Sequence, residues 1–340
     1  ALFNRAGHEI IDHYTYFLAS DGDLMEGVSH EACSLAGHLK LGKLIGFYDD
    51  NHITIDGSTD LAFSDDTAKR FEAYGWHVQR ITDGNDLDAI DAGVTTAKRT
   101  TDRPSLIIVR THIAWGSPNK QDTAEAHGAP LGVDEVRATK QSLGWPSLEP
   151  FHVPEEALQR WRRAKDRGAR LEADWKRKWD AYRAAHKDHA AELERRLTGK
   201  LVEGWDAALP TFGPKDAQAT RAASGKVLNA IAAKLPELIG GSADLTGSNN
   251  TEIKGGGVFT ATAHASRNFH FGIREHAMGA ALNGIALHRG FIPFGGTFLI
   301  FSDYMRPSIR LAALTHLKPI YIFTHDSIGQ IGRASCRERV

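Results

Sequence analysis

The sequence predicts an α/β chain of two domains, each built on a parallel sheet flanked by helices, with a long helical linker between them. Three observations carry that reading. Short β-branched or aromatic runs alternate with helical stretches in the first part of the chain, the pattern of strands laid parallel by helical crossovers. Between about Pro154 and Leu197 the composition shifts to Glu, Arg, Lys and Ala, and after Pro210 the alternation resumes. A length of 340 residues leaves room for two cores of ordinary size.

In the first domain, residues 1–153, the segments 14–19, 44–48, 77–81 and 105–110 read as strands, and 25–39, 65–74 and 86–98 as helices. In the linker, residues 154–210, Leu171, Trp175, Trp179 and Tyr182 recur at three and four residues. One amphipathic helix or two should therefore end at Gly199, as a solvated connector packing one aromatic stripe. The second domain, residues 211–329, reads as helix 220–234, strands 238–240 and 267–272, helix 275–287, strand 291–294, helix 301–314 and strand 319–323. Ligands of such sheets bind at the carboxyl ends of strands, so chemistry is expected just after Ala19 and Tyr48.

Composition excludes several functions. Lysine plus arginine number 41 against 42 acidic residues, so no global field gathers nucleic acid. No run approaches the roughly 18 apolar residues of a membrane span, and no secretory pattern opens the chain, so a membrane partner is not expected. Cys33 and Cys336 form neither a metal-finger spacing nor a disulfide framework, which suits a reducing cytoplasm. The chain enters a strand-like run soon after Ala1 without an initiator Met, so its start is expected upstream.

The strongest chemical signal is Ser20-Asp21-Gly22-Asp23-Leu24-Met25-Glu26-Gly27, followed by Tyr48-Asp49-Asp50-Asn51-His52-Ile53. If the strands before Asp21 and Asn51 are neighbours, the two side chains converge on one sheet edge. A hard cation such as Mg²⁺, Ca²⁺ or Mn²⁺ takes oxygen ligands, which a carboxylate, an amide oxygen, a backbone carbonyl and phosphate oxygens supply. Gly22 and Gly27 let the backbone approach a diphosphate, and the following helix presents its N–H groups. The plainer reading makes Asp21-Gly22 a capped turn and Asn51 a turn residue.

The joint pattern resembles the thiamine diphosphate fingerprint, and its flanks, Glu26-Gly27, Glu31-Ala32 and Asp49-Asp50-Asn51, resemble transketolase closely. The resemblance runs from about Phe3 to Gly329 and implies two thiamine-diphosphate-binding-type domains, both truncated, in an internal piece that would be inactive alone. It implies that Asp21, Asn51 and the carbonyl of Ile53 hold the metal, with Gly22 and Glu26 near the cofactor. Ser20 departs from the family's usual Gly, which implies a weaker or slightly shifted contact.

In Phe271-Gly272-Ile273-Arg274-Glu275-His276, Glu275 sits at a strand-to-helix junction, where an acid is also favoured simply by the helix dipole. The resemblance makes it the carboxyl set against N1′ of the aminopyrimidine, a role that burial assists by raising a carboxyl pKa. Phe298, Phe301 and Tyr304, spaced by three, read as a helical core stripe on their own. In the family the matching aromatics wall the pyrimidine ring.

His127, in a loop of the form His-Gly-Ala-Pro-Leu, is implied as a catalytic, cofactor and substrate contact. Arg221, Ser248 and His325 are implied to bind sugar phosphate, and Asp244 to lie beside the cofactor. The implied reaction is transfer of a two-carbon ketol unit between sugar phosphates through the cofactor's C2 carbanion, in pentose phosphate or Calvin-type interconversion, by a homodimer. Dihydroxyacetone synthase, another ketolase, or a non-catalytic transketolase-like subunit are the alternatives; the last should lack the metal carboxylate or Glu275, and Asp21, Asn51 and Glu275 are all present. Residues 330–340 break the family pattern. Ile331 to Val340 also translate one frame of a widely used sequencing adapter, so this tail reads as an artefact, against the alternative of a basic C-terminal arm.

Overall fold

A computed structural model of the chain describes residues 2–325. In chain order its elements begin with β1 (Thr15–Ser20), α1 (Asp21–Met25), α2 (Gly27–His38), β2 (Leu44–Asp50), and the short pair β3 (Ile53–Thr54) and β4 (Gly57–Ser58). There follow α3 (Thr67–Ala73), β5 (His77–Ile81), α4 (Leu87–Arg99), β6 (Ser105–Arg110) and α5 (Val133–Ser142), then α6 (Glu155–Ala185) and α7 (Lys187–Leu197). The last group is α8 (Thr220–Ala232), β7 (Leu238–Ser242), α9 (Thr246–Asn249), β8 (Asn268–His270), α10 (Glu275–His288), β9 (Ile292–Phe298), α11 (Ser302–Leu314) and β10 (Ile320–Thr324). The described residues form two compact units, His8–Ala181 and residues 2–7 with 182–325.

In the first unit the sheet runs β1-β2-β6-β5, all parallel. Its alternation is clearest in β6. Leu106 and Ile108 enter a core with Leu24, Tyr48, Phe71 and Trp76, whereas Ile107 and Val109 enter another with Ile45, Ile81 and Ala97. A strand buried on both faces reads as a continuous apolar run, which is why Leu106 to Val109 carries no polar residue. α2 packs close to this core because Gly37 has no Cβ: one would lie 1.9 Å from the Tyr74 carbonyl oxygen.

The helix expected over 25–39 starts earlier and is interrupted. The N–H and hydroxyl of Ser20 both donate to the Asp23 carboxylate, at 2.8 and 2.9 Å, so α1 begins at Asp21. At Glu26 the backbone turns extended before α2 begins.

In the second unit the order is β10-β9-β7-β8, again all parallel. Leu228, Leu235, Leu238, Ile253 and Phe294 form a core beneath α8. The half-buried guanidinium of Arg267 donates to the carbonyls of Ala232, Leu235 and Leu238 at 2.8–3.1 Å, tying the end of α8 to β7. The strand expected over 291–294 continues to Phe298, because Gly295 and Gly296 pair with Tyr321 and Ile322 instead of breaking the strand. On the other side of Gly295, a Cβ would meet Leu282 of α10 at 2.6 Å.

The linker stripe is not packed along its length. Tyr182 is fully buried and donates its hydroxyl to the Phe3 carbonyl at 2.8 Å, whereas Trp161, Leu171 and Trp175 are exposed. Trp175 and Trp179 stack on each other with centroids 5.8 Å apart, covering part of their own surface. The charged residues that crowd α6 leave its apolar positions too sparse for a continuous face. Among the described residues no helix is long and apolar enough to cross a membrane. The tail, residues 330–340, lies outside the described residues, and Cys336 with it. Cys33 is buried, which pushes its thiol up to about 11.

Candidate functional site

In the first unit every candidate group follows the carboxyl end of a parallel strand: Asp21 after β1, Asn51 after β2, and His127 in the loop after β6. The register sets Ser20 beside Asp49, so the first two are adjacent at one edge. Asp21 is only 2 % exposed. Its Oδ1 accepts the Tyr48 hydroxyl at 2.5 Å, and its Oδ2 accepts the His52 N–H at 3.2 Å. His52 adopts a left-handed φ of 64°, which turns that N–H back towards Asp21. Asn51 Oδ1 accepts the Ile53 N–H at 2.9 Å, so Asn51 does close a turn, and its second lone pair remains for a ligand.

Electrostatics explain what this arrangement can hold. Burial raises the pKa of Asp21, the Tyr48 hydrogen bond lowers it, and the neighbouring charge of Asp50 raises it again. Burial together with the Asp21 hydrogen bond and charge pushes the Tyr48 hydroxyl far up, which keeps it a donor. Two carboxylates at a desolvated edge suit a hard divalent cation, which offsets both charges. Among the described residues no three His, Cys, Asp or Glu side chains gather as a self-sufficient metal site. A cation here would take Asp21, the Asn51 amide oxygen and the Ile53 carbonyl, and draw further oxygens from a diphosphate. Added Cβ atoms at Gly22 and Gly27 would meet nothing within 4 Å, so the backbone beside Asp21 is open to such a group. Glu26, between α1 and α2, accepts the Ser29 N–H and hydroxyl at its carbonyl, at 3.0 and 2.7 Å.

His127 is exposed, and the structure does not bring it into the Asp21 hydrogen-bond cluster. The start of its loop is fixed by Glu135, which accepts from the Ser117 hydroxyl and from the Asn119 N–H and side-chain amide, the latter two at 2.9 Å. The Asn119 and Ser117 hydrogen bonds pull the Glu135 carboxyl down to about 2.

In the second unit the candidates again follow the carboxyl ends: Asp244 after β7, Glu275 after β8, Phe298 at the end of β9 and His325 after β10. Arg221, in the first turn of α8, reaches His325 Nε2 at 2.6 Å. A guanidinium only donates, so Nε2 accepts, and the proton of a neutral ring then sits on Nδ1, facing Thr324 Oγ1 at 2.9 Å. The His325 ring lies 4.1 Å from that of Phe298; Phe298 stacks on Phe301 at 5.8 Å, and Phe301 meets Tyr304 at 6.0 Å. The plainer alternative, a helical core stripe, does not describe these aromatics. Phe298 ends a strand, Phe301 sits in a 3-10 turn, only Tyr304 is in α11, and Tyr304 is 64 % exposed.

Glu275 opens α10 and is 8 % exposed, after a left-handed Gly272 whose carbonyl accepts the Arg274 N–H at 2.8 Å. Ser242 Oγ accepts the Leu245 N–H at 2.9 Å and meets Thr246 Oγ1 at 3.0 Å, bracing the turn that presents Asp244 and Ser248, both exposed. The structure joins Arg221 to His325; Asp244 and Ser248 lie on a separate turn of the same unit. Sequence reasoning missed Tyr48, reading it as the end of a strand; a hydroxyl on an otherwise apolar buried face was the available signal.

Comparison with known proteins agrees with this layout. Residues 1–202 match the family model described as transketolase, thiamine diphosphate binding domain, and residues 216–336 match transketolase, pyrimidine binding domain. A transketolase of Nostoc is 58 % identical over 97 % of this chain and 50 % of its own length. The chloroplastic transketolase-1 of Arabidopsis thaliana is 51 % identical over 97 % of this chain and 45 % of its own. Among solved structures, transketolase from Leishmania mexicana superposes with a TM-score of 0.93 at 42 % identity, covering 96 % of this chain and 49 % of that one. A Pichia stipitis transketolase in complex with sedoheptulose 7-phosphate gives 0.92 at 44 %, over 96 % and 49 %. The chain thus spans about half the length of the relatives it matches. With both of its halves matched by that family's own domain models, the chain belongs to the transketolase family.

Proposed function

We propose that this chain supplies the diphosphate and pyrimidine half-sites of a transketolase, which moves a two-carbon ketol unit from a ketose phosphate to an aldose phosphate. The observation that carries the reading is the placement of two buried carboxyls, Asp21 and Glu275, each just beyond the carboxyl end of a parallel strand. Thiamine diphosphate, when bound, supplies the electron sink that lets a carbon–carbon bond break and re-form. The protein's part is position and proton control. Asp21, Asn51 and the Ile53 carbonyl hold Mg²⁺, or Ca²⁺ or Mn²⁺, and Gly22 with the start of α2 faces the diphosphate. Glu275 holds a proton against N1′ of the pyrimidine, and Phe298, Phe301 and Tyr304 offer their faces to that ring.

Arg221 and His325 form a ready cationic and hydrogen-bonding corner for a sugar phosphate. Ser248 lies on a braced turn within the same unit, and His127 meets substrate oxygens from its loop. The whole enzyme is read as a homodimer in cytoplasmic sugar interconversion. The test is transfer between ketose and aldose phosphates by the protein at the full length of its relatives. Loss of transfer in both Asp21→Ala and Glu275→Gln supports the reading; undiminished transfer in either contradicts it. The acceptor spectrum distinguishes a transketolase from a dihydroxyacetone synthase.

A further inference from the structure

In the core of the first sheet the Tyr48 hydroxyl reaches the Asp21 carboxylate, and the proposed function assigns that hydroxyl no part. Its ring is 4 % exposed and packed with Leu24, Phe71, Trp76, Leu106 and Ile108, so the hydroxyl has little freedom. The 2.5 Å bond to Oδ1, opposed by the 3.2 Å bond from the His52 N–H to Oδ2, fixes the carboxylate plane from two sides. Each oxygen keeps one lone-pair direction. Asp50, paired with the His52 ring at 3.0 Å, stands next to both groups.

From this geometry we infer that Tyr48 is a positioning residue for a divalent cation: it holds Asp21 in the one orientation in which the carboxylate's remaining lone pairs meet the metal. The inference rests on the reading of Asp21 as a metal ligand. A buried carboxylate with one donor on each oxygen cannot swing between rotamers, so it meets an ion without first being ordered. Hydrogen-bond partners of this kind typically carry 10- to 100-fold in metal affinity. A tyrosine serves better than a charged donor, because it orients the carboxylate without cancelling the charge the cation needs.

The test is Mn²⁺ binding to the chain, read by paramagnetic resonance of the free ion with thiamine diphosphate present, together with metal-free thermal unfolding. Tyr48→Phe keeps the packed ring and should weaken Mn²⁺ binding about 10- to 100-fold. Should that variant not fold, 3-fluorotyrosine at position 48 keeps the shape while altering the hydroxyl, and must change Mn²⁺ affinity. Asp21→Ala separates the two claims. If it abolishes Mn²⁺ binding while Tyr48→Phe binds as the parent does and only its unfolding temperature falls, Tyr48 is a packing residue and the inference fails. If Asp21→Ala binds Mn²⁺ normally, the ligand reading itself fails and takes the inference with it.

Discussion

The two sheet edges hold their candidate groups with different degrees of internal bonding. At the first, Asp21 and Tyr48 are buried and bonded to each other. At the second, Glu275 is buried, whereas Tyr304, Asp244 and Ser248 are exposed; Arg221 bonds His325, with Phe298 alongside. On the proposed function, the contrast fits what each edge would bind. A metal site needs carboxylate geometry fixed in advance, because an ion rewards only correctly aimed oxygens. A flat heterocycle and a sugar phosphate need faces and forks that stay open until the ligand covers them.

The sharpest break of this comparison is Asp21→Ala. On the proposed function it should abolish metal-dependent binding of thiamine diphosphate, since Asp21 would be the charged ligand that holds the cation. Calorimetric titration with and without Mg²⁺ measures this, and unchanged affinity in Mg²⁺ would remove the metal assignment.

Arg267→Ala attacks the scaffold of the second edge instead. Three buried carbonyls lose their donor, so urea unfolding should report about 2–4 kcal/mol of lost stability. Mn²⁺ binding at the first edge should stay as it was. A loss at both edges would mean that they are not independently built.

A smaller effect concerns pH. Glu135 has its carboxyl lowered from 4.5 to about 2 by Asn119 and Ser117, so its contribution to loop order is complete above pH 4.5 and is lost as pH falls through about 2. Protection of the Asn119 amide from hydrogen exchange should be constant from neutral pH to about 4.5 and then decline. A decline centred near neutral pH would show that another group governs the loop.

Most of the fold was legible because its strands are short apolar runs bounded by turn residues, a signal local to the chain. The Asp21–Asn51 convergence was legible for the same reason, since neighbouring parallel strands bring their carboxyl ends together. What escaped depends on contacts across the sequence. Tyr48 finds Asp21 from 27 residues away through strand pairing. β9 runs through Gly295 and Gly296 because α10 on one face, and Thr251 with Asn249 of α9 on the other, occupy the space that side chains would have taken. The aromatic trio kept its spacing of three, yet that spacing belongs to a strand end, a 3-10 turn and a helix start, and periodicity cannot tell these from one helix.

The most direct test of the account is proton exchange at the thiazolium C2 of thiamine diphosphate, bound to the protein at the full length of its relatives, in the parent and in Glu275→Gln. The amide matches the carboxyl in shape but cannot share a proton with N1′. Exchange should therefore slow by about 10²- to 10⁴-fold, while the fold and most cofactor contacts persist. Exchange as fast in the variant as in the parent would make Glu275 a buried first-turn acid and nothing more, and would contradict the account.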